Sequence, residues 1–273
     1  MAEMSIIWLR VAAGLYSLGL LDAILTIIQR RARLFGVAVG AFLLGSVFHL
    51  VSIVEQGVAV GRFPASGFYE SMSLCALLIT LLFLFVYWRY RLESLSVFIF
   101  PLVFVMTLVA SLGRPVEASW TSRTVRDAWL SVHVVLVLLG IAALLFTAVA
   151  AVLYLLQERE LKRKKPRNFY HRLPPLGTLD DLITRFMGMG FVLITAAVIV
   201  GSIWAFVELG TRWVSDPKIA ISMFTWGVYL VMVFLRVSAG WRGRKAAVLA
   251  ITALGCSALT WAAHAQLQRL WLR

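Results

Sequence analysis

Along most of the chain apolar residues follow one another without the alternation of a half-buried strand, and without the polar stripe of a soluble amphipathic helix. A helix needs about 20 such residues to cross the hydrocarbon core of a bilayer. Eight stretches qualify, at approximately 6–29, 35–56, 69–88, 94–112, 129–156, 182–206, 220–237 and 246–267. In lipid every backbone amide must find an internal partner, and the long unalternating runs exclude a barrel. The pattern therefore predicts an all-α polytopic membrane protein with eight transmembrane helices. No repeat of fixed period and no second domain interrupts it, so 1–273 reads as a single integral-membrane domain.

Composition agrees. Hydrophobic residues make up 61% of the 273 and charged residues 14%, against about 45–50% and 25% in soluble domains. Mean hydropathy is +0.89. A soluble enzyme, a disordered tail and a disulfide scaffold are excluded together. The net charge of +13 would point to nucleic acid in a soluble protein; here the basic residues sit in short loops, where membrane orientation accounts for them, and no nucleic-acid partner is expected. The loops after helices 1, 3, 5 and 7, with Arg185, hold 17 of the 26 Lys and Arg; the opposite side holds eight, and Arg10 lies within helix 1. The richer side belongs in the cytoplasm. Both termini then lie on the outer face, with outer loops at 57–68, 113–128 and 207–219, and the protein belongs in the plasma (inner) membrane. The N-terminal MAEMSIIWLR has no basic start, so it reads as an uncleaved helix rather than a signal peptide. Cys75 and Cys256 lie in apolar runs outside any CxxC or CxxCH pattern, so covalent haem attachment to this chain is not expected.

Of four histidines, His171 falls in the basic loop, while His49, His133 and His264 fall in helices 2, 5 and 8. At about 1.5 Å per residue, His49 lies roughly 10 Å from the outer end of its helix and His133 and His264 within roughly 6 Å. An ionisable residue inside a membrane is a functional candidate by default. The plain alternative is a neutral imidazole satisfied by a carbonyl or hydroxyl. Two imidazoles facing each other, His133 and His264, suit the axial positions of a haem iron or a small soft metal. Zinc usually takes four ligands, and no thiol or carboxylate accompanies these two, which favours a porphyrin.

The loop VELGTRWVSDPKI at 207–219 is flanked by Trp204 and Trp226. Trp213 and Asp216 share a face if the stretch is a short surface helix, with Pro217 ending or bending it. The aromatic residues of 204–226 suit stacking on a flat conjugated ligand, and Arg212 or Lys218 suits its carboxylates. Trp is also the ordinary residue of a membrane interface. In the first outer loop, Glu70 reads as a favourable charge at the start of helix 3, with the cap near Ser66 or Gly67. Arg10 and Asp22 read as polar groups of helix 1, the former snorkelling. No catalytic residue is assigned.

These segments resemble a known family. WLSVHVVLVLLGIAALLFTAVAAVLYLLQERELK at 129–162 resembles the helix of CcsA/ResC-type cytochrome c assembly proteins that carries their first external histidine. GSIWAFVELGTRWVSDPKIAISMFTWGVYLVMVFLRVSAGWRGRKAA at 201–247 resembles their tryptophan-rich region, and GRFPASGFYESMSL at 61–74 the segment ahead of their third helix. The resemblance implies that non-covalent haem b is held at the outer face, beside the tryptophan-rich loop, with His133 and His264 on the iron. It also implies that His49 marks an internal haem position, and that the chain works with a ResB/CcsB-like membrane partner on apocytochrome c. Where the family reads W-x-W-D-P-K-E this chain has Trp213, Val214, Ser215, Asp216, Pro217, Lys218 and Ile219, losing one indole and one carboxylate. His264 lacks the family's HSY-like setting. The length also resembles the HemX branch, which implies as an alternative a membrane regulator of a cytoplasmic tetrapyrrole-synthesis enzyme, contacted through 158–181. A transporter unrelated to haem is the third reading; no pore-lining charge series supports it.

Overall fold

The computed structural model describes the backbone of residues 2–29, 32–61, 63–64, 68–113, 124–162, 173–209 and 217–271; several terminal helix side chains, including those of 259–271, lie outside the description. Within it the chain is helical: α1 (Ala2–Gln29), α2 (Ala32–Val60), α3 (Phe68–Tyr90), α4 (Ser96–Ser111) after a 3-10 turn at Glu93–Leu95, α5 (Thr124–Leu161), α6 (Leu176–Leu209), α7 (Pro217–Val237) and α8 (Arg244–Trp271). Each predicted segment corresponds to one of these helices, the one at 94–112 taking in part of the 3-10 turn as well as α4. Seven of them, α1 to α7, contain a stretch long and apolar enough to cross a membrane. The span expected over 246–267 lies in α8, much of whose length falls outside the described side chains.

All the helices but α4 overrun the apolar segments, most of all α5 and α6. Hydropathy marks only the part that suits lipid, whereas a helix continues until its backbone is broken. Pro174 and Pro175 fix the start of α6, where Leu179 N–H donates to the Pro175 carbonyl at 3.2 Å. Arg91, left-handed at φ 54°, ends α3 by donating its N–H to the Tyr87 carbonyl at 2.8 Å.

Contacts divide the chain into two compact units, 1–131 and 132–273, with the boundary inside α5. In the first, α2 buries Phe35, Ala38, Phe42, Ser46, His49, Ile53 and Val60 while Leu43, Val47, Leu50, Val54 and Val58 stand exposed at helical spacing. A helix that is apolar on its packed and its open face alike is built for lipid. Two reciprocal contacts bring α1 and α2 together. Tyr16 of α1 lies over Gly45 of α2, and Phe42 of α2 over Gly19 of α1; a Cβ on either glycine would stand 2.7 or 2.6 Å from the facing ring. Phe42 also stacks on Phe100 of α4 at 3.6 Å between ring centroids. Pro101 sits inside α4 and leaves the Val97 carbonyl without its usual helical N–H.

In the second unit α6 is the common partner. By helical spacing Asp180, Thr184, Phe191 and Thr195 line one side of it, and Gly190, Ile194, Ala197 and Gly201 the adjacent side. The first stripe meets α7; the second meets α5, with Gly190 also facing the Tyr229 hydroxyl of α7.

Candidate functional site

His49 is fully buried among α1, α2 and α3. Its Nε2 lies 2.9 Å from Ser73 Oγ of α3 and its Nδ1 3.4 Å from the Tyr16 hydroxyl of α1. Both ring nitrogens are engaged, so this histidine has the arrangement of an imidazole satisfied by hydroxyls. Glu70 is buried in the first turn of α3, where a carboxylate complements the helix dipole. Ser66 and Gly67 lie outside the described residues.

His133, half-buried on α5, leans on α6. Its Nδ1 is 2.9 Å from the Ala197 carbonyl oxygen. A carbonyl only accepts, so Nδ1 carries the proton and the neutral ring keeps its lone pair on Nε2. The ring lies directly over Gly201. Trp204 follows Gly201 by three residues and so shares this side of α6.

Trp226 reaches α6 from α7. Its indole N–H donates to Thr195 Oγ1 at 3.0 Å, and its ring stacks on Phe191 with centroids 6.4 Å apart. Thr195 and Ala197 are two residues apart, so Trp226 and His133 meet α6 about 3 Å apart along its axis but on different sides of it, since two residues turn the helix by about 200°. Deeper in the unit, the buried Tyr229 hydroxyl of α7 donates to the Gly140 carbonyl of α5 at 3.1 Å. The fold thus gathers His133, Trp204 and Trp226 around one helix. Trp213 and Asp216 lie outside the described residues, as does the side chain of His264, whose backbone belongs to α8. Among the described residues no group of three or more His, Cys, Asp or Glu side chains is arranged to hold a bare metal ion.

The sequence reading missed a polar cluster at the other end of α6. Asp180 and Arg236 form a bidentate pair, Nη1 to Oδ1 at 2.9 Å and Nη2 to Oδ2 at 2.8 Å. Arg236 also donates to Thr184 Oγ1, to the Asp180 carbonyl and to the Trp241 carbonyl, while Gly243 N–H donates to Asp180 Oδ1 at 3.0 Å. Gly243 has φ +61°, and a Cβ there would stand 2.7 Å from the Tyr154 hydroxyl of α5. Groups of α6, α7 and the loop before α8 therefore meet at one carboxylate, with Tyr154 of α5 packed against Gly243 beside it. Treating 158–181 as loop hid this, because Asp180 is already in the second turn of α6. The available signal was an adjacent acidic pair, Asp180 and Asp181, on the side of the sequence richest in Lys and Arg.

Comparison with known proteins bears on what such a unit does. A family model described as "Cytochrome C assembly protein" matches residues 65–262. The chain is 30% identical over 198 residues to the cytochrome c biogenesis protein CcsA of Chlamydomonas reinhardtii, an alignment covering 70% of this chain and 54% of that one. It is 29% identical to the CcsA of Prochlorococcus marinus subsp. pastoris, covering 76% and 73% of the two chains, and 27% identical to that of Guillardia theta, covering 82% and 80%. The chain thus spans about half the length of the first of these relatives and about three quarters of the other two. The matched region takes in His133, the tryptophan-rich stretch and most of α8. This multi-helix membrane chain belongs to the cytochrome c assembly protein family.

Proposed function

We propose that the chain binds haem b non-covalently at the outer face of the plasma (inner) membrane and presents it to apocytochrome c, as the multi-pass partner of a ResB/CcsB-like protein. All eight helices cross the bilayer in this reading, with both termini outside. The observation that carries it is the seating of His133 in a chain of this family. With Nδ1–H bound to the Ala197 carbonyl, Nε2 is left as a lone-pair donor, the state an iron ligand requires. His133 as seated therefore fits the role of a haem ligand. His133 and His264 would hold the iron, Trp204, Trp213 and Trp226 would flank the ring, Asp216 would order the loop, and Arg212 or Lys218 would meet the carboxylates. Haem, when bound, supplies the iron and the reactive edge that receives the substrate's thiols. The chain's own contribution is to hold, orient and shield it; no side chain needs to act as acid or base. An internal position at His49 requires that ring to release Ser73 or Tyr16 first.

The test is a visible spectrum of the detergent-purified protein, oxidised and reduced, beside His133→Ala and His264→Ala. A sharp low-spin reduced band in the parent, lost or shifted in both variants, is the expected result. Trp213→Ala lowers haem occupancy several-fold without changing the type of spectrum. Absence of a Soret band from cells supplied with excess haem would remove this reading.

A further inference from the structure

We infer that Gly201 is a positioning residue for His133: its missing side chain is the room through which the imidazole reaches the Ala197 carbonyl and is held in the Nδ1-protonated form. The inference rests on the functional reading only for what the ring then binds; the seating itself is a property of α5 and α6.

In an α-helix the carbonyl of residue 197 points along the axis toward residue 201, whose backbone N–H it accepts. A second donor reaching the same oxygen from a neighbouring helix has to pass over position 201. A side chain there covers the approach, and glycine opens it. The distances match this description. A Cβ on Gly201 would lie 2.5 Å from His133 Cε1, 2.8 Å from Nδ1 and 3.4 Å from Nε2, so it would overlap the ring itself and not a flexible tip. With Gly201 bare, Nδ1 sits 2.9 Å from the Ala197 oxygen, which has two lone pairs and takes the second proton without losing the first. Displaced by a methyl group, the ring loses that acceptor, and nothing then prevents the proton from moving to Nε2, the atom that must stay bare to bind iron.

Small residues also line helix contacts in membranes simply to bring backbones close. Gly140 of α5 is such a case in this same seam: a Cβ there would stand 2.5 Å from Ile194 of α6, away from any histidine. Gly188 of α6 has nothing within 4 Å of its Cβ position. The three glycines separate positioning from packing. Gly140→Ala burdens the α5–α6 contact without touching His133, Gly188→Ala burdens nothing, and Gly201→Ala burdens the imidazole.

The experiment uses the full chain in detergent, haem-free, with 15N-labelled histidine. Four histidines give four ring signatures, and His133→Ala identifies its own by loss. The parent and the Gly140→Ala and Gly188→Ala variants are expected to show His133 protonated on Nδ1 and bare on Nε2. In Gly201→Ala that signature gives way to the Nε2-protonated form or a mixture. On haem titration the same variant shows at least ten-fold weaker uptake, as when other ligand-orienting partners are lost. An unchanged His133 signature in folded Gly201→Ala overturns the inference. So does an Nε2-protonated His133 in the parent, whether or not the variant accumulates. A parent that keeps the Nδ1-protonated ring yet takes up no haem removes the haem reading alone and leaves the positioning role standing.

Discussion

Asp180→Ala should cost the 132–273 unit about 3–5 kcal/mol, the range for removing one member of a buried ion pair. The reason is what it leaves behind. Arg236 is only 7% exposed, and its guanidinium makes five hydrogen bonds, three of them to Asp180. Without the carboxylate the cation is buried beside a hydroxyl and two carbonyls, with no opposite charge bonded to it. Gly243 N–H loses its acceptor in the same step. Arg236→Met alone strands Asp180 instead, which is more exposed at 21% of its side chain, so its cost is smaller. The double replacement Asp180→Leu with Arg236→Met leaves no stranded charge and recovers most of the loss. Unfolding in mixed micelles of increasing SDS content measures all three. A loss below about 1 kcal/mol for Asp180→Ala, the worth of an ordinary surface pair, would show that the pair is not buried as described.

His49→Leu is the second large effect. The volumes are similar, so no great cavity opens; the damage comes mainly from Ser73, which loses its ring partner in a buried setting at about 1–3 kcal/mol, with a smaller share from Tyr16, whose hydroxyl also meets Thr80. His49→Gln retains a donor and an acceptor and should restore a large part of that stability. The comparison separates two roles. A structural histidine shows a stability loss in Leu that Gln repairs, with haem content unchanged in Gln. A histidine that also ligates an internal haem shows the same repair of stability while that haem is lost in both variants. Equal, negligible losses of stability in Leu and Gln would mean that the Tyr16–His49–Ser73 chain does not hold the 1–131 unit together.

The sequence carried the helices well because a span announces itself in a single run of apolar residues, and each of the eight runs corresponds to a helix. It carried their ends poorly because polar turns such as those around Asp180 or Glu158 are helical for reasons hydropathy does not see. His133, Trp204 and Trp226 were recognisable as candidates from their depth and flanking sequence. Their common dependence on α6 was not, since it needs the neighbour order of helices whose residues lie up to 93 positions apart in sequence, as His133 and Trp226 do. The Asp180–Arg236 pair spans 56 residues and was invisible for the same reason. His49 shows the converse: its placement within a span was legible, but the two hydroxyls that occupy its ring come from helices before and after it.

The two stripes of α6 carry a further consequence for how this chain can vary. Each residue turns a helix by about 100°. The contacts with Arg236 near one end and with His133 near the other are therefore phased against each other through the helix between them. Inserting or deleting a single residue between Thr184 and Phe191 would swing the Ala197–Gly201 stripe away from α5 while Asp180 still faced α7. A seven-residue insertion nearly restores the phase but lengthens the helix by about 10 Å. Length in this part of α6 is thus constrained independently of composition: even where a side chain can be exchanged, the count of residues cannot.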